Sequence, residues 1–409
     1  MKIRLKTQPA DFIVEEETSL PIRKKGLYAV YLLEKTGWNT VDALFKIAEG
    51  YRVPFRNFSY GGKKDRHART AQYVTFKGRK LEDVRAENYS LTFCGWADQA
   101  MGPQFIAANR FQIVVRKLTA LQAETALSKA HDVAQSGYMN YFDDQRFGSY
   151  DALQGFIAEK LLKGHLNGAL KTYLTAIHSE DKRPEKERRK FFYDHWKDWP
   201  ACLAAAKTEF ERQVFEHLVA SPKDVAPLLN EIPREMMNLY ISAYQSFLWN
   251  ELVRRFVLCQ TQVTGRAAVS CYPGVVGDYL FLPGVVLSQF AKLVVPLPAA
   301  LAKMPNRLWN DLYKEVLAAN GLTKNMFEPL PVREVCFKPS PRPVVVVPQD
   351  LEIQKLPDEL NEGRTKLVLS FKLPRGTYAT MFVKNLFNVP WTPADKGESA
   401  HVGHQGQEV

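Results

Sequence analysis

Cysteine, long apolar runs and a leader-like start are scarce or missing in this sequence. The five cysteines are odd in number, lie far apart and include no Cys-x-x-Cys pair. A disulfide framework is therefore not expected, and a reducing cytoplasm is the expected location. No stretch reaches the ~20 uninterrupted apolar residues of a membrane span. The first residues lack the apolar segment of a signal peptide, so a membrane partner is not expected either.

Sequence signals for cofactors are also missing. The Gly62-Lys63 pair lacks the upstream glycine of a phosphate-binding P-loop, and no Gly-x-Gly-x-x-Gly motif occurs. His and Cys residues do not show the spacing of metal ligands. The sequence therefore predicts no nucleotide cofactor and no metal.

The composition is that of a globular protein with a basic surplus. The chain has 409 residues, 46% of them hydrophobic, which suits two or three domains. Lys and Arg number 55 against 44 Asp and Glu, a formal net charge of +11. Such a surplus favours a polyanionic partner, nucleic acid first and an acidic membrane surface second. No internal repeat is evident, and a monomer is the expected state.

Residues 61–72, GGKKDRHARTAQ, form the most unusual stretch. They combine two glycines, five basic side chains counting His67, and the single carboxylate of Asp65. Neighbouring positive charge lowers the pKa of a carboxyl group, so Asp65 is expected to stay ionised. An ionised carboxylate in a basic loop suits nucleophilic attack within a polyanionic substrate. The alternative is a solvated turn in which Asp65 merely pairs with a neighbouring lysine.

This stretch resembles the signature loop of the TruD family of tRNA pseudouridine synthases, G-x-K-D-x-x-A-x-T-x-Q. Five further stretches resemble the family in the same order along the chain, and a helix near Gln245 resembles its inserted domain. Ala108, Met139 and Asp143 depart from the usual Gly, Pro and Gly, and Lys384-Asn385 replaces Arg-Glu. The matching positions are Gly62, Lys64, Asp65, Ala68, Thr70 and Gln72; Lys6, Pro9, Asp11, Phe12, Val14 and Glu16; Lys35, Asn39 and Thr40; Asn109 and Phe111; Asn140, Tyr141, Phe142, Gln145, Arg146, Phe147 and Gly148; Phe371, Leu373, Pro374, Gly376, Tyr378, Ala379, Thr380 and Leu386.

The resemblance implies an α+β fold. It has a pseudouridine-synthase core, a mixed and mostly antiparallel sheet with flanking helices, plus an inserted family-specific α/β domain. The expected boundaries are 1–148 and 336–387 for the two parts of the core and 149–335 for the insertion. A disordered tail is expected over 388–409.

The resemblance also implies a reaction, the isomerisation of a uridine in tRNA to pseudouridine, at uridine 13 in the D arm. The C1′–N1 bond breaks and a C1′–C5 bond forms, without a cofactor. Asp65 is then the nucleophile, Lys6 keeps it ionised, Asn109 orients it, and Phe111 stacks on the target uracil. Attack at C1′, attack at C6 and a glycal route all remain open.

RNA contacts are expected from four further residues, Lys64, Arg69, Gln145 and Arg146. The three basic side chains could instead brace the loops that carry them. Two other functions stay open on the sequence alone. One is an RNA-binding protein of the same fold without catalysis, and the other is a nucleotide-dependent transferase that uses the Gly-Lys loop.

Hydrophobic periodicity predicts the main elements. Position 45 is expected on the inner face of the helix after Asn39, and the charge-rich stretch 180–190 is expected to be an exposed loop or a helix end. The predicted strands are Phe12–Val14, Leu27–Leu33, Asn109–Arg116, Pro339–Pro348 and Lys366–Phe371, with short strands over 272–300. The predicted helices follow Asn39, span Thr119–Ser136 and Ile241–Phe256, run up to Phe387, and include Leu153, Phe156, Ile157 and Leu161.

Overall fold

A computed structural model describes residues 5–178, 180–264, 269–328, 330, 332 and 335–391 of the chain. Its strands are β1 (Phe12–Thr18), β2 (Tyr28–Thr36), β3 (Phe58–Tyr60), β4 (Arg69–Lys77), β5 (Val84–Arg85), β6 (Tyr89–Ala97), β7 (Ile106–Leu118), β8 (Tyr138–Met139), β9 (Ser270–Tyr272), β10 (Tyr279–Phe281), β11 (Val294–Pro296), β12 (Pro341–Pro343), β13 (Val345–Val346), β14 (Gln349–Pro357), β15 (Thr365–Leu373) and β16 (Val389–Pro390). Its α-helices are α1 (Thr40–Tyr51), α2 (Ala120–Ser136), α3 (Ile157–Leu162), α4 (Leu166–Thr175), α5 (Arg183–Asp194), α6 (Trp199–Ala205), α7 (Glu209–Ala220), α8 (Ala226–Asn230), α9 (Arg234–Thr264), α10 (Gly284–Leu287), α11 (Arg307–Ala319) and α12 (Ala379–Leu386).

A nine-stranded sheet combines strands from the first part of the chain with β14 and β15 near its end. Its order is β14-β15-β7-β1-β4-β2-β6-β5, and β3 pairs with the far end of β4. β1 and β4 run parallel, and the other pairs described in this sheet are antiparallel. The predicted α+β class, with a mixed and mostly antiparallel sheet, is confirmed.

The described residues group into two compact units. The first runs to Asn140 and includes Gly284–Ala291 and Val345–Asn388, so it holds the large sheet with α1, α2, α10 and α12. The second comprises Tyr141–Pro283, Lys292–Val344 and the chain from Val389. It is mainly helical, with the small sheets β10-β9-β16 and β11-β12. The expected boundaries at 148 and 336 stay a prediction, because a division into compact units does not test which segments fold independently.

Helix α1 begins where the sequence predicts, directly after Asn39, whose backbone is extended. Leu44 and Ala48 pack against the large sheet as expected. Phe45 does not, because its side chain lies 54% exposed on the outer face. Its ring instead stacks on Phe55, with centroids 4.0 Å apart and planes at 3°.

Helix α2 begins with a capping box. The backbone N–H of Gln122 donates to the Thr119 hydroxyl at 3.2 Å, and Thr119 N–H donates to the Gln122 side chain at 2.9 Å. Such a cap contributes about 1 kcal/mol. Gly137 then ends the helix with a φ of 79°, and a Cβ there would lie 2.7 Å from the carbonyl oxygen of Val346.

A buried ion cluster ties β7 to the turn between β14 and β15. The Nε of Arg116 donates to both carboxylate oxygens of Asp11 at 2.9 and 3.0 Å, and Nη1 donates to Asp358 at 3.0 Å. Nη2 pairs with Glu359 at 3.0 Å. We call these four residues the Arg116 cluster. The guanidinium of Arg116 is buried in this cluster rather than solvated.

Two local expectations are wrong, and a third is met by one of its alternatives. The charge-rich stretch 180–190, expected to be an exposed loop or a helix end, contains the beginning of helix α5 at Arg183. Leu153 lies outside α3, which begins at Ile157, and is 74% exposed. Val389 and Pro390, which were assigned to a disordered tail, pair with Cys271 and Ser270 as strand β16. The rest of that expected tail, 392–409, lies outside the described residues.

Candidate active site

The basic loop 61–68 connects β3 to β4. Neither of its glycines has a positive φ, so the course of the loop does not need a left-handed glycine. Gly61 is needed for a different reason, because a Cβ there would lie 2.7 Å from the Ile106 side chain. A Cβ on Gly62 would meet open space. Glycine is therefore required by packing at the first position only.

Buried polar side chains hold this loop from below. The Thr40 hydroxyl accepts from the backbone N–H of Lys64 at 2.9 Å and donates to Gln72 at 2.7 Å. The Gln72 amide donates to the carbonyl oxygen of Gly62 at 3.0 Å. The ammonium of Lys35 donates to the carbonyl oxygens of Lys64 and Asp65 at 3.3 and 2.9 Å. The loop backbone is thus fixed by α1, β2 and β4 together.

Asp65 presents a partly exposed carboxylate, with 29% of its side-chain surface open. Its Oδ2 is bound by the Lys6 ammonium, and its Oδ1 accepts from the backbone N–H of His67 at 2.8 Å. Burial alone would raise the pKa of Asp65, but the hydrogen bonds from Lys6 and His67 and their positive charge hold that pKa below its usual value. The side chain is therefore an anion at neutral pH, and the structure places Lys6 where the sequence predicted it.

Lys64 precedes Asp65 in the loop, and its side chain contacts Asn109. The Lys64 ammonium donates to Asn109 Oδ1 at 2.5 Å and pairs with Glu16 Oε2 at 2.9 Å. Glu16 and Asn109 are partners in the register of β1 and β7. These contacts favour the bracing alternative for Lys64 over a phosphate contact. Among the described contacts, Asn109 does not bind the Asp65 carboxylate but contacts Lys64, the residue before Asp65 in the loop. We call Lys6, Glu16, Lys64, Asp65 and Asn109 the Asp65 cluster.

Phe111 lies two positions after Asn109 on the same face of β7 and is 8% exposed. Its ring stacks on Phe371 with centroids 5.6 Å apart and meets the edge of Phe12 at 6.3 Å. The Lys6 ammonium lies 4.6 Å from the centroid of the Phe12 ring. Phe111 and Lys6, the partner of Asp65, thus both contact the Phe12 ring. Its expected stacking on a base stays a prediction.

The remaining expected RNA contacts do not all lie in one unit. Arg69 opens β4 with an exposed guanidinium 4.0 Å from the Glu34 carboxylate. Gln145 and Arg146 belong to the second unit, where Gln145 is exposed. Arg146 donates to the Ser246 hydroxyl at 3.3 Å, which supports a bracing role for it.

Searches for a metal site and a membrane span gave negative results within the described ranges. No group of three or more His, Cys, Asp or Glu side chains in that part of the chain is placed to hold a metal ion. No helix described there combines the length and apolarity needed to cross a bilayer.

Two charged residues at the site received no role from the sequence, although both match the family pattern. Glu16 continues the inward alternation of Phe12 and Val14 in β1, and Lys35 continues that of Leu33 in β2. A charged residue at an inward position of a strand must find a partner, since an unpaired buried charge is costly. This alternation was the available signal.

A mixed, mostly antiparallel sheet with an ionised carboxylate on a basic loop fits an RNA-modifying enzyme of the pseudouridine-synthase class. The sequence model of the family described as tRNA pseudouridine synthase D (TruD) matches residues 1–269 and 284–386. The chain therefore belongs to the TruD family, and the resemblance found in the sequence is confirmed.

Individual relatives agree with this assignment. The tRNA pseudouridine synthase D of Leptospira interrogans is 31% identical over 396 residues, which cover 93% of this chain and 95% of the relative. That of Aquifex aeolicus is also 31% identical, with 95% of this chain and 98% of the relative covered. A crystal structure from Methanosarcina mazei, described as a tRNA pseudouridine synthase D, matches the fold with a TM-score of 0.70 at 24% identity, covering 94% of this chain and 93% of that one.

Proposed function

We propose that this protein converts uridine 13 in the D arm of tRNA to pseudouridine, with Asp65 as the nucleophile. As a member of the TruD family the chain is a tRNA pseudouridine synthase, an isomerase. The proposal adds the position of the uridine and the roles of the side chains. The observation that carries it is the partly exposed, ionised carboxylate of Asp65 bound by Lys6.

The reaction moves the uracil ring without oxidation or hydrolysis. The C1′–N1 bond breaks, the ring turns and C1′ bonds to C5. The C5 proton leaves, and N1 ends with a proton. A carboxylate can form a transient covalent bond that divides such a step into two easier ones. Asp65 must be ionised for this, which its depressed pKa provides.

The neighbouring side chains support that nucleophile in different ways. Lys6 stabilises the anion directly. Asn109 acts on Asp65 through Lys64, the residue that precedes it in the loop. Phe111 supplies an aromatic surface for an unstacked base, since aromatic stacking holds bases that enzymes have taken out of an RNA stack.

The basic surplus of the chain suits the tRNA backbone. Arg69 in the first unit and Gln145 and Arg146 in the second are proposed RNA contacts, with bracing as the alternative role for the two arginines. Phosphate neutralisation by such cations makes binding salt-dependent. A cytoplasmic monomer that works without a cofactor or metal completes the proposal.

The experiment is pseudouridine mapping in total tRNA from a strain that lacks the gene. Loss of pseudouridine at position 13 alone, restored by the wild-type gene and not by Asp65→Asn, is the expected result. Loss at another position would reject the site but keep the enzyme. An unchanged pattern would favour the RNA-binding alternative without catalysis.

A further inference from the structure

Lys35 is a buried charged residue beside the basic loop 61–68, with 2% of its surface exposed. It is the second-to-last residue of β2, in register with Thr70 of β4 and Tyr89 of β6. Buried lysines are rare unless a partner holds the charge. Among the described contacts of Lys35 there is no ion pair with a carboxylate. Its hydrogen bonds go to backbone carbonyl oxygens.

Those carbonyls belong to the nucleophile and to the residue before it. The Lys35 ammonium donates to the carbonyl oxygen of Asp65 at 2.9 Å and to that of Lys64 at 3.3 Å. The same two residues, Asp65 and Lys64, carry a carboxylate and an ammonium of the Asp65 cluster. A displacement of their backbone would move both groups at once.

We propose that Lys35 is a positioning residue for catalysis: its buried ammonium clamps the backbone of Lys64 and Asp65 and so fixes the direction of the attacking carboxylate. The inference rests on the proposed role of Asp65. Lys35 itself does not touch the reacting atoms. A shift of about 1 Å in a reacting group can cost about 10²-fold in rate, which sets the size of effect that such a clamp can have.

The charge state of Lys35 adds a second consequence. Burial lowers its pKa to about 8, the negative charge of Asp65 opposes that change, and the positive charge of Lys64 adds to it. These two groups face Lys35 from the loop, while β6 presents Tyr89 and β4 presents Thr70. Below a pH of about 8 the ammonium is present, and as the pH rises through that value its clamping charge is lost. The reaction rate should therefore fall on the basic side.

The test compares Lys35→Met, which keeps the length of the side chain but has no charge or donor, with Lys366→Met. Lys366 is a paired lysine of β15 in the same sheet, bound to Glu359. With wild-type tRNA as substrate, Lys35→Met should lose 10- to 100-fold in kcat, with KM within about threefold. Lys366→Met should keep both constants. The wild type and Lys366→Met should share a basic limb near pH 8 that Lys35→Met lacks.

A purely structural role predicts a different pattern. In that case Lys35→Met would lower the melting temperature, and its activity loss would follow the unfolded fraction, with an unchanged pH profile. Full kcat in Lys35→Met would also overturn the proposal. If this variant does not fold, the wild-type profile still decides, because the absence of a basic limb near pH 8 would contradict the clamp.

Asp65→Asn separates this inference from the function on which it rests. An inactive Asp65→Asn beside a fully active Lys35→Met would reject the clamp and leave the nucleophile in place. An active Asp65→Asn would reject the nucleophile itself, whatever Lys35→Met does.

Discussion

Strands β1 and β7 pair with each other, and a charged cluster lies near each end of this pairing. The two clusters differ in how far their charged groups are exposed and paired. At one end Glu16 pairs in register with Asn109 within the Asp65 cluster. At the other, Asp11 precedes β1 and binds Arg116 of β7. In the Arg116 cluster the guanidinium is 5% exposed and meets three carboxylates, whereas the Asp65 carboxylate is 29% exposed.

The difference separates a structural use of charge from a chemical one. Asp358 also accepts backbone N–H bonds from Lys117 and Leu360 at 2.8 and 3.1 Å, so its charge is fully engaged. The hydrogen bond to Asp11 comes first among the contacts that raise the pKa of Arg116, and burial works against them. Asp65 keeps an open side in addition to its two partners. A substrate can therefore reach Asp65 but not Asp11 or Asp358, whose side chains are buried.

The largest expected effect on stability comes from removing the guanidinium. Arg116→Met leaves two carboxylates buried without their counter-charge, which should lower the free energy of unfolding by about 3–5 kcal/mol. Urea unfolding followed by a probe in the first unit measures the change. The rate of pseudouridine formation per folded molecule should stay within about twofold.

Arg110→Met is the matched control on the same strand. Its guanidinium is half-exposed and 3.5 Å from Glu17, so its loss should cost less than about 1 kcal/mol. Equal losses in the two variants would erase the distinction between the clusters. A large rate defect in folded Arg116→Met would do the same.

The next effect concerns the anion at the site. Lys6→Met removes the main partner of Asp65, so burial should raise the pKa of that carboxyl. We expect kcat/KM to fall about tenfold, a loss of about 1.4 kcal/mol in transition-state stabilisation, and its acid limb to move to higher pH. Lys314→Met, an exposed lysine of α11, is the control. An acid limb that does not move would show that Lys6 does not set the charge of Asp65.

The smallest effect is at the exposed rim of the Arg116 cluster. Hydrogen bonds from Arg116 and Lys366 lower the pKa of Glu359 from 4.5 to about 2. Its stabilising contribution is present above pH 4.5 and is lost as the pH falls towards 2. Glu359→Gln should therefore show a shallower decline of unfolding midpoint over that range, and Glu362→Gln should not. Identical declines would mean that solvent already screens the pair.

The two clusters were unequally predictable from the sequence. Loop 61–68 is recognisable by its composition. The family motifs, which occur in the family's order along the chain, then indicated which residues lie near it. The inward positions of Glu16 and Lys35 follow from strand alternation. Their contacts do not, because alternation gives a direction and not the identity of the group that lies there.

The contacts within the Arg116 cluster could not be predicted from the sequence for the same reason. Periodicity placed Arg116 opposite Phe111, Ile113 and Val115, a position that is normally solvated in a half-buried strand. Its partner Asp358 comes from a turn 242 residues later in the chain. Only the pairing of β15 with β7 brings that turn alongside, and long-range pairing has no local sequence signal.

The central claim is that Asp65 does chemistry while Asp11 holds the fold. The most direct measurement is single-turnover pseudouridine formation by Asp65→Asn and Asp11→Asn on tRNA, together with tRNA binding and urea unfolding of both variants. We predict that Asp65→Asn binds tRNA and stays folded but loses at least about 10⁴-fold in rate, whereas Asp11→Asn is destabilised and keeps its rate per folded molecule. Turnover by Asp65→Asn near the wild-type rate would contradict the account.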